Sequence, residues 1–323
     1  MVKMRPIHFL FIIAIFLIPA ATLSAQQEAD KAKPVQWRTL KTNDGEFSAD
    51  MPSSFRYVYD QTGFIIEENE TSLLNFQEMQ LLSASSDRTI MTVEIYRTAN
   101  PTKYVNKLIQ LSSARGVKTQ TSLPGFSIQQ FESKTTPGSK SNKAEPVYYV
   151  IKYIASKDHI YIVTAANRGE PSIAAQRFLD SIHLGVSAEK TADEKALDLS
   201  KLTPITVDQI VSDERNTVKP PPVKSGSMPP QIKPGGVSLL ILDKSNPGYT
   251  PEARKRSVKG VMRLHITFDK DGAITKIGFL STLPNGLGRN AFFCALRIKF
   301  LPQEKDGSPT TATITIEYNF DTF

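Results

Sequence analysis

Two spacings of apolar residues divide the chain. Thr89 to Tyr96 alternates with period two, Ile90, Thr92 and Glu94 against Met91, Val93 and Ile95, which predicts a strand with one packed face. Residues 73–82, 126–131, 148–154 and 159–164 are aromatic and β-branched and are also predicted as strands. Trp37-Arg38-Thr39-Leu40 and residues 46–52 flank Asn43-Asp44-Gly45, a turn signal, and Lys157-Asp158 suits a hairpin between the last two strands. Helical spacing follows Pro101, with Val105, Leu108, Ile109 and Leu111 recurring over 102–113. It returns over 171–182, where Ile173, Phe178, Leu179 and Ile182 are predicted to turn inward. Residues 35–185 therefore predict an α+β domain of antiparallel strands, one helix in the middle and one at the end.

A different pattern occupies residues 237–323. Residues 237–242 form a short apolar run. Thr250, Pro251 and Glu252 suit the N-cap and first turn of a helix, and Gly260 stands where a glycine would end it. Met262, Leu264, Ile266 and Phe268 alternate with Arg263, His265 and Thr267, and Asp271-Gly272 turns the chain into a second strand over 273–280. Residues 287–299 read as an amphipathic helix with Leu287, Ala291, Ala295 and Ile298 on one stripe. Asp306-Gly307 is another turn, and residues 311–320 form a last strand with Ile314, Ile316, Tyr318 and Phe320 inward. The order helix, strand, strand, helix, strand predicts two helices on a three-stranded antiparallel sheet. Between the two regions, residues 186–236 read as a linker, charged at first and then rich in proline (Lys219-Pro220-Pro221-Pro222, Pro229-Pro230). Within it, residues 197–210 are apolar enough to form a short helix or dock.

The N-terminus carries an address. Lys3 and Arg5 precede an unbroken apolar run from Phe9 to Ile18, then Pro19 and a small-residue site at Leu23-Ser24-Ala25. Residues 1–25 read as a secretory signal peptide; the alternative is an uncleaved anchor at the short limit for spanning a bilayer. The protein is expected to work on the exported side of the membrane, anchored to it if this segment is retained. The formal net charge of +7 is a mild bias without a basic motif, so nucleic acid is not expected as a partner. Cys294 is the one cysteine and lies in an apolar helical run, where it reads as a buried small hydrophobe. His8, His159, His183 and His265 show no metal spacing, no nucleophile motif is present, and Glu94 and Asp158 read as isolated acids. No catalytic residue, cofactor or metal site is expected, and the chain is not expected to be an enzyme.

The phrase Tyr249-Thr250-Pro251-Glu252-Ala253-Arg254, Gly260 opening a strand, the Asp271-Gly272 hairpin, Arg297-Ile298-Lys299-Phe300-Leu301-Pro302 after a helix, and the β-branched final strand resemble the TonB C-terminal domain family. More weakly, Trp37, Asp44-Gly45, Phe47, Met51-Pro52, the late hairpin and the closing Phe178-Leu179-Asp180-Ser181-Ile182 resemble PsbP-like α/β sandwich domains. The first resemblance implies partner binding: the sheet edge captures an extended segment of an outer-membrane receptor as an added strand. On this reading residues 311–320 are the edge, Thr313, Thr315 and Glu317 are partner-binding, and Asn246 and Tyr249 contribute from the helix start. The domain organisation is then a signal peptide or anchor (1–25), a PsbP-like domain (35–185), a linker (186–236) and a TonB C-terminal domain (237–323). The expected function is a TonB-like periplasmic protein that binds an outer-membrane or envelope partner by β-strand addition. If residues 1–25 are retained, an ExbB/ExbD-type inner-membrane motor becomes a second partner and the protein an energy transducer for transmembrane transport. Here, however, the motor-engaging Ser-x-x-x-His motif is lacking, because Met4 stands four positions before His8. The alternative is a periplasmic ligand-binding or structural interaction protein with no motor coupling.

Overall fold

The first elements among the described residues form a hairpin, β1 (Trp37–Lys41) and β2 (Phe47–Pro52), across the turn at Gly45, whose φ of 69° suits glycine. β3 (Arg56–Asp60) follows, then the paired β4 (Phe64–Asn69) and β5 (Ser72–Phe76), then β6 (Glu78–Ser86) and β7 (Thr89–Arg97). Helix α1 (Pro101–Leu111) leads to β8 (Val117–Leu123), β9 (Phe126–Thr135), β10 (Val147–Ala155) and β11 (His159–Arg168). Next come α2 (Ile173–Asp180), β12 (His183–Leu184), α3 (Val186–Thr191), β13 (Leu197–Asp198), α4 (Val207–Ile210) and β14 (Val211–Ser212). The C-terminal region holds β15 (Gly236–Val237), β16 (Leu240–Asp243), α5 (Pro251–Lys255), β17 (Gly260–Phe268), β18 (Ile274–Phe279), α6 (Leu287–Leu296), β19 (Lys299–Leu301), β20 (Gln303–Lys305), β21 (Ser308–Thr310) and β22 (Ala312–Phe320). This computed structural model describes residues 35–61, 64–69, 72–111, 117–135, 146–191, 195–212 and 236–321. The expected targeting segment and the proline-rich part of the expected linker lie outside them. The architecture is mixed α+β, with several largely antiparallel sheets.

A seven-stranded antiparallel sheet, ordered β3-β6-β7-β11-β10-β9-β8, forms the base of the molecule. It is apolar on both faces. Tyr161, Val163 and Ala165 of β11 point to one face, where a second sheet (β12-β2-β1-β13) and α2 cover them. Ile160 and Ile162 point to the other, where α1 and the C-terminal region pack. The period-two pattern at β7 therefore does not mark a solvated face: Thr92 is 5% and Glu94 only 1% exposed. The run expected as one strand over 73–82 is two, β5 and β6, broken at Gln77, whose N–H donates to the Arg97 carbonyl.

Helix α2 starts as the sequence suggests. Ser172 caps it, its hydroxyl accepting from the Ala175 N–H at 2.9 Å. One inward expectation fails there: Ile173 is 88% exposed. The buried positions are Ala174, Ala175, Phe178 and Leu179, because the two alanines let the helix lie close on β2, β7 and β11, which leaves Ile173 on the far side. In the C-terminal region α5 is capped by Thr250, accepting from the Ala253 N–H at 3.1 Å, with Pro251 in its first turn. Gly260 does not end it. Ser257 takes the left-handed position (φ 50°), whereas Gly260 (φ 150°) opens β17, where a Cβ would meet the Leu283 side chain at 2.9 Å. Helix α6 stops at Leu296, so Lys299–Leu301 is a strand rather than the last helical turn. The helix is not amphipathic either: Asn290, Phe292, Phe293 and Cys294 are buried alongside the expected stripe. It is enclosed because it lies between its own sheet and the rest of the chain. Cys294 is the buried hydrophobe expected, its thiol pushed up to about 12 by burial.

From Gln36 onward the protein is one unit, and one of its two hydrophobic clusters spans both regions, from Val58, Tyr96 and Tyr149 to Leu264, Phe293 and Phe320. Residues 197–212 dock along both regions. β13 pairs in parallel with β1, Ile205 bridges Val58, and β14 pairs in parallel with β18.

Candidate functional site

The C-terminal sheet has the order β14-β18-β17-β22. The three antiparallel strands expected from sequence are there, and β14 joins them as a fourth strand on the β18 side. The opposite side ends at β22. This nine-residue strand pairs with β17 along its whole length, from Phe268↔Ala312 to Gly260↔Phe320, and among the described residues no strand pairs with its outer side. A strand in that position presents a row of backbone N–H and C=O groups to solvent.

Strict alternation fixes the strand's orientation. Ile316, Tyr318 and Phe320 are buried and Ile314 half-buried, while Thr313, Thr315, Glu317 and Asn319 are exposed. A slip of one residue would turn four apolar side chains to water, so the hydrophobic pattern sets the register. The exposed side chains are tied to β17 by cross-strand contacts. Arg263 Nε donates to Glu317 Oε1 at 2.6 Å, the Thr267 and Thr313 hydroxyls lie 3.1 Å apart, and Thr315 sits opposite His265.

The other sequence-derived residues take different places. Tyr249 is 8% exposed and packs edge-on against Phe320, ring centroids 5.4 Å apart. It therefore supports the C-terminal end of β22 from inside. Asn246 is exposed on the loop before α5. A residue not expected from sequence, Lys244, adjoins the strand: its Nζ lies over the Tyr318 ring at 4.9 Å and donates to the Glu317 carbonyl at 3.4 Å. Burial pulls its ammonium below the ordinary lysine range. The signal for it was weak, a single lysine on a loop.

The sheet is held in place by buried charge. Glu94 of β7, Arg297 and Lys299 are all nearly inaccessible. Arg297 Nε donates to Glu94 Oε2 at 2.7 Å, and both the Lys299 ammonium and the Tyr96 hydroxyl donate to the same carboxylate. Burial by itself would raise the Glu94 carboxyl; the cations of Lys299 and Arg297 overcome it and hold the group down to about 2. Glu94 is thus not the isolated acid its sequence neighbours suggest, since its cationic partners lie some two hundred residues away. A second contact is parallel in design: Arg88 meets Glu304 at 2.7 Å, and Arg168 donates to the carbonyls of Ser238 and Pro302. At the β17–β18 hairpin, Gly272 (φ 78°) lies so close to Ile90 that a Cβ would sit 2.5 Å from its Cδ1. The motif residues Arg297, Lys299 and Gly272 therefore face the N-terminal sheet, and the β22 edge faces away from these contacts in the strand order.

A search of curated proteins finds no match. Residues 245–322, which contain α5, β17, β18, α6 and the edge strand, match the family of the Gram-negative bacterial TonB protein C-terminal domain.

Proposed function

We propose that this is an envelope protein whose C-terminal region captures an extended segment of an outer-membrane or envelope partner as an added strand along β22. The observation that carries this reading is the nine-residue edge, unpaired on its outer side among the described residues. The match of residues 245–322 to the TonB C-terminal family supports it. An incoming strand would satisfy the outer N–H and C=O groups, and its alternate side chains would meet either Thr313, Thr315 and Glu317 or the margin around Lys244. The proposed role is binding without chemistry, in the periplasm. Among the described residues no helix is long and apolar enough to cross a membrane. Energy transduction is a further step, and it belongs to the proposal only if residues 1–25 remain attached. The PsbP-like reading of 35–185 supplies a rigid support for the edge.

A photo-crosslinking amino acid at position 317, exposed on β22, tests the reading in cells, with one at Lys103, exposed on α1, as the reference position. Adducts from 317 that map to a short segment of an outer-membrane or envelope protein, and that disappear when Thr313 and Thr315 are replaced by proline, are expected. Adducts that are equal from both positions, or that survive the prolines, would sink the proposal.

A further inference from the structure

The second acid that looks isolated in the sequence, Asp158, also has partners. The hairpin turn between β10 and β11 meets the β1–β2 turn, and four side chains converge there. The Nδ1 atom of His159 lies 3.0 Å from Asp158 Oδ1, 3.4 Å from Glu46 Oε2 and 3.9 Å from Asp44 Oδ2. Ligand atoms of Asp44, Glu46 and His159 all fall within 4.8 Å of one another. His159 Nδ1 is sealed from solvent, yet no hydrogen bond of acceptable geometry reaches it. Its neighbours are aimed by their own contacts. Glu46 Oε2 accepts from the wholly buried Tyr161 at 2.6 Å and from Ser156 at 2.9 Å. Asp44 Oδ1 is taken by Thr42 and the Glu46 N–H, which leaves Oδ2 toward the histidine. The group borders an open polar cavity of about 570 Å³, where Glu78 adds another carboxylate and Arg97 a cation.

Two of these distances, 3.0 and 3.4 Å, are those between adjacent ligand atoms of a coordination shell. A divalent ion bound at about 2.1 Å separates adjacent ligand atoms by about 3.0 Å in octahedral geometry and about 3.4 Å in tetrahedral geometry. One imidazole nitrogen among carboxylate oxygens suits a first-row divalent cation better than calcium or magnesium, which take oxygen alone. Tyr161 and Ser156 stand behind Glu46 as the orienting contacts such sites use.

We propose that Asp44, Glu46 and His159, with Asp158 beside them, bind one divalent transition-metal ion, with Zn²⁺ as the cation that best fits the mixed donor set. The ion would tie the β1–β2 turn of the smaller sheet to the β10–β11 hairpin of the larger one. No spacing in the sequence signals it, because its two halves lie more than a hundred residues apart.

Calorimetric titration of the chelator-stripped full chain with ZnCl₂ tests this. One Zn²⁺ per chain is expected, with a melting temperature that rises with the cation. His159→Ala and Asp158→Asn should each weaken uptake at least about tenfold, and Tyr161→Phe by roughly 10–100-fold. His265→Ala, on β17 of the C-terminal sheet, should leave it unchanged. Asp158 is half exposed in a turn, so its asparagine variant folds even if the histidine variant does not. Absence of saturable Zn²⁺ uptake by the native chain overturns the proposal and leaves His159 as an imidazolium among carboxylates. Uptake with unchanged affinity in Asp158→Asn and Tyr161→Phe overturns it equally.

Discussion

Two surfaces of the C-terminal region contrast in how they treat polar groups. The one against the N-terminal sheet buries three charges and a glycine turn with every distance fixed. The one at β22 leaves a strand's outer side to solvent. The first cannot exchange partners without stranding an ion in an apolar core; the second has groups that any extended chain can satisfy. One face therefore serves as a mount and the other as a receptor, and the same 78-residue family match spans both.

The contrast breaks most severely at Glu94. Glu94→Gln strands Arg297 and Lys299 in the core, and about 3–5 kcal/mol of stability should be lost in denaturant unfolding. Loss below about 1 kcal/mol would show that the face is wetter than its burial implies. The same carboxyl gives a pH signature. Its value is lowered in the fold from 4.5 to about 2, so its contribution is complete above the unfolded value and disappears as pH falls through the folded one. Acid unfolding should therefore steepen between those limits in the native chain and flatten there in Glu94→Gln.

Gly272→Ala comes next. Crowding against Ile90 should cost about 1–3 kcal/mol, and the left-handed backbone about 1–2 more. Adding Ile90→Ala should return only the crowding part, which a double-mutant cycle reads directly. Proline at Thr315 should act mainly on the open surface, with partner crosslinking abolished and a modest fall in melting temperature; a collapse of the whole fold would mean that the edge is part of the mount. The smallest effect belongs to Arg263→Ala. Its ion pair with Glu317 is exposed, and a few tenths of a kcal/mol, fading with salt, is expected from a denaturation series at two ionic strengths.

Much of the C-terminal region was legible because its signals are local. The Thr250 cap, the Gly272 turn and the alternation along β22 each act within a few residues. The mount was not legible. Glu94 alternates with apolar residues and reads as a solvent-facing position, and only the fold brings Arg297 to it. Helix α6 misled for the same reason. Its stripe was real, but Phe292, Phe293 and Cys294 are covered by neighbours distant in sequence. Ile173 shows the converse, an apolar residue at a helical start that two alanines leave outside. The His159 group was hidden because its two halves, the β1–β2 turn and the β10–β11 hairpin, lie more than a hundred residues apart.

The span between Glu94 and its cation has a consequence for synthesis. Glu94 precedes Arg297 by 203 residues, which at about 5–20 residues per second is roughly 10–40 s of translation. In that interval Ile90 and Tyr96, joined later by Tyr149 and Ile162, have been made while the C-terminal residues that cover them have not. An unpaired carboxylate is costly to bury, so the surface around Glu94 cannot close before the C-terminal region brings its cations.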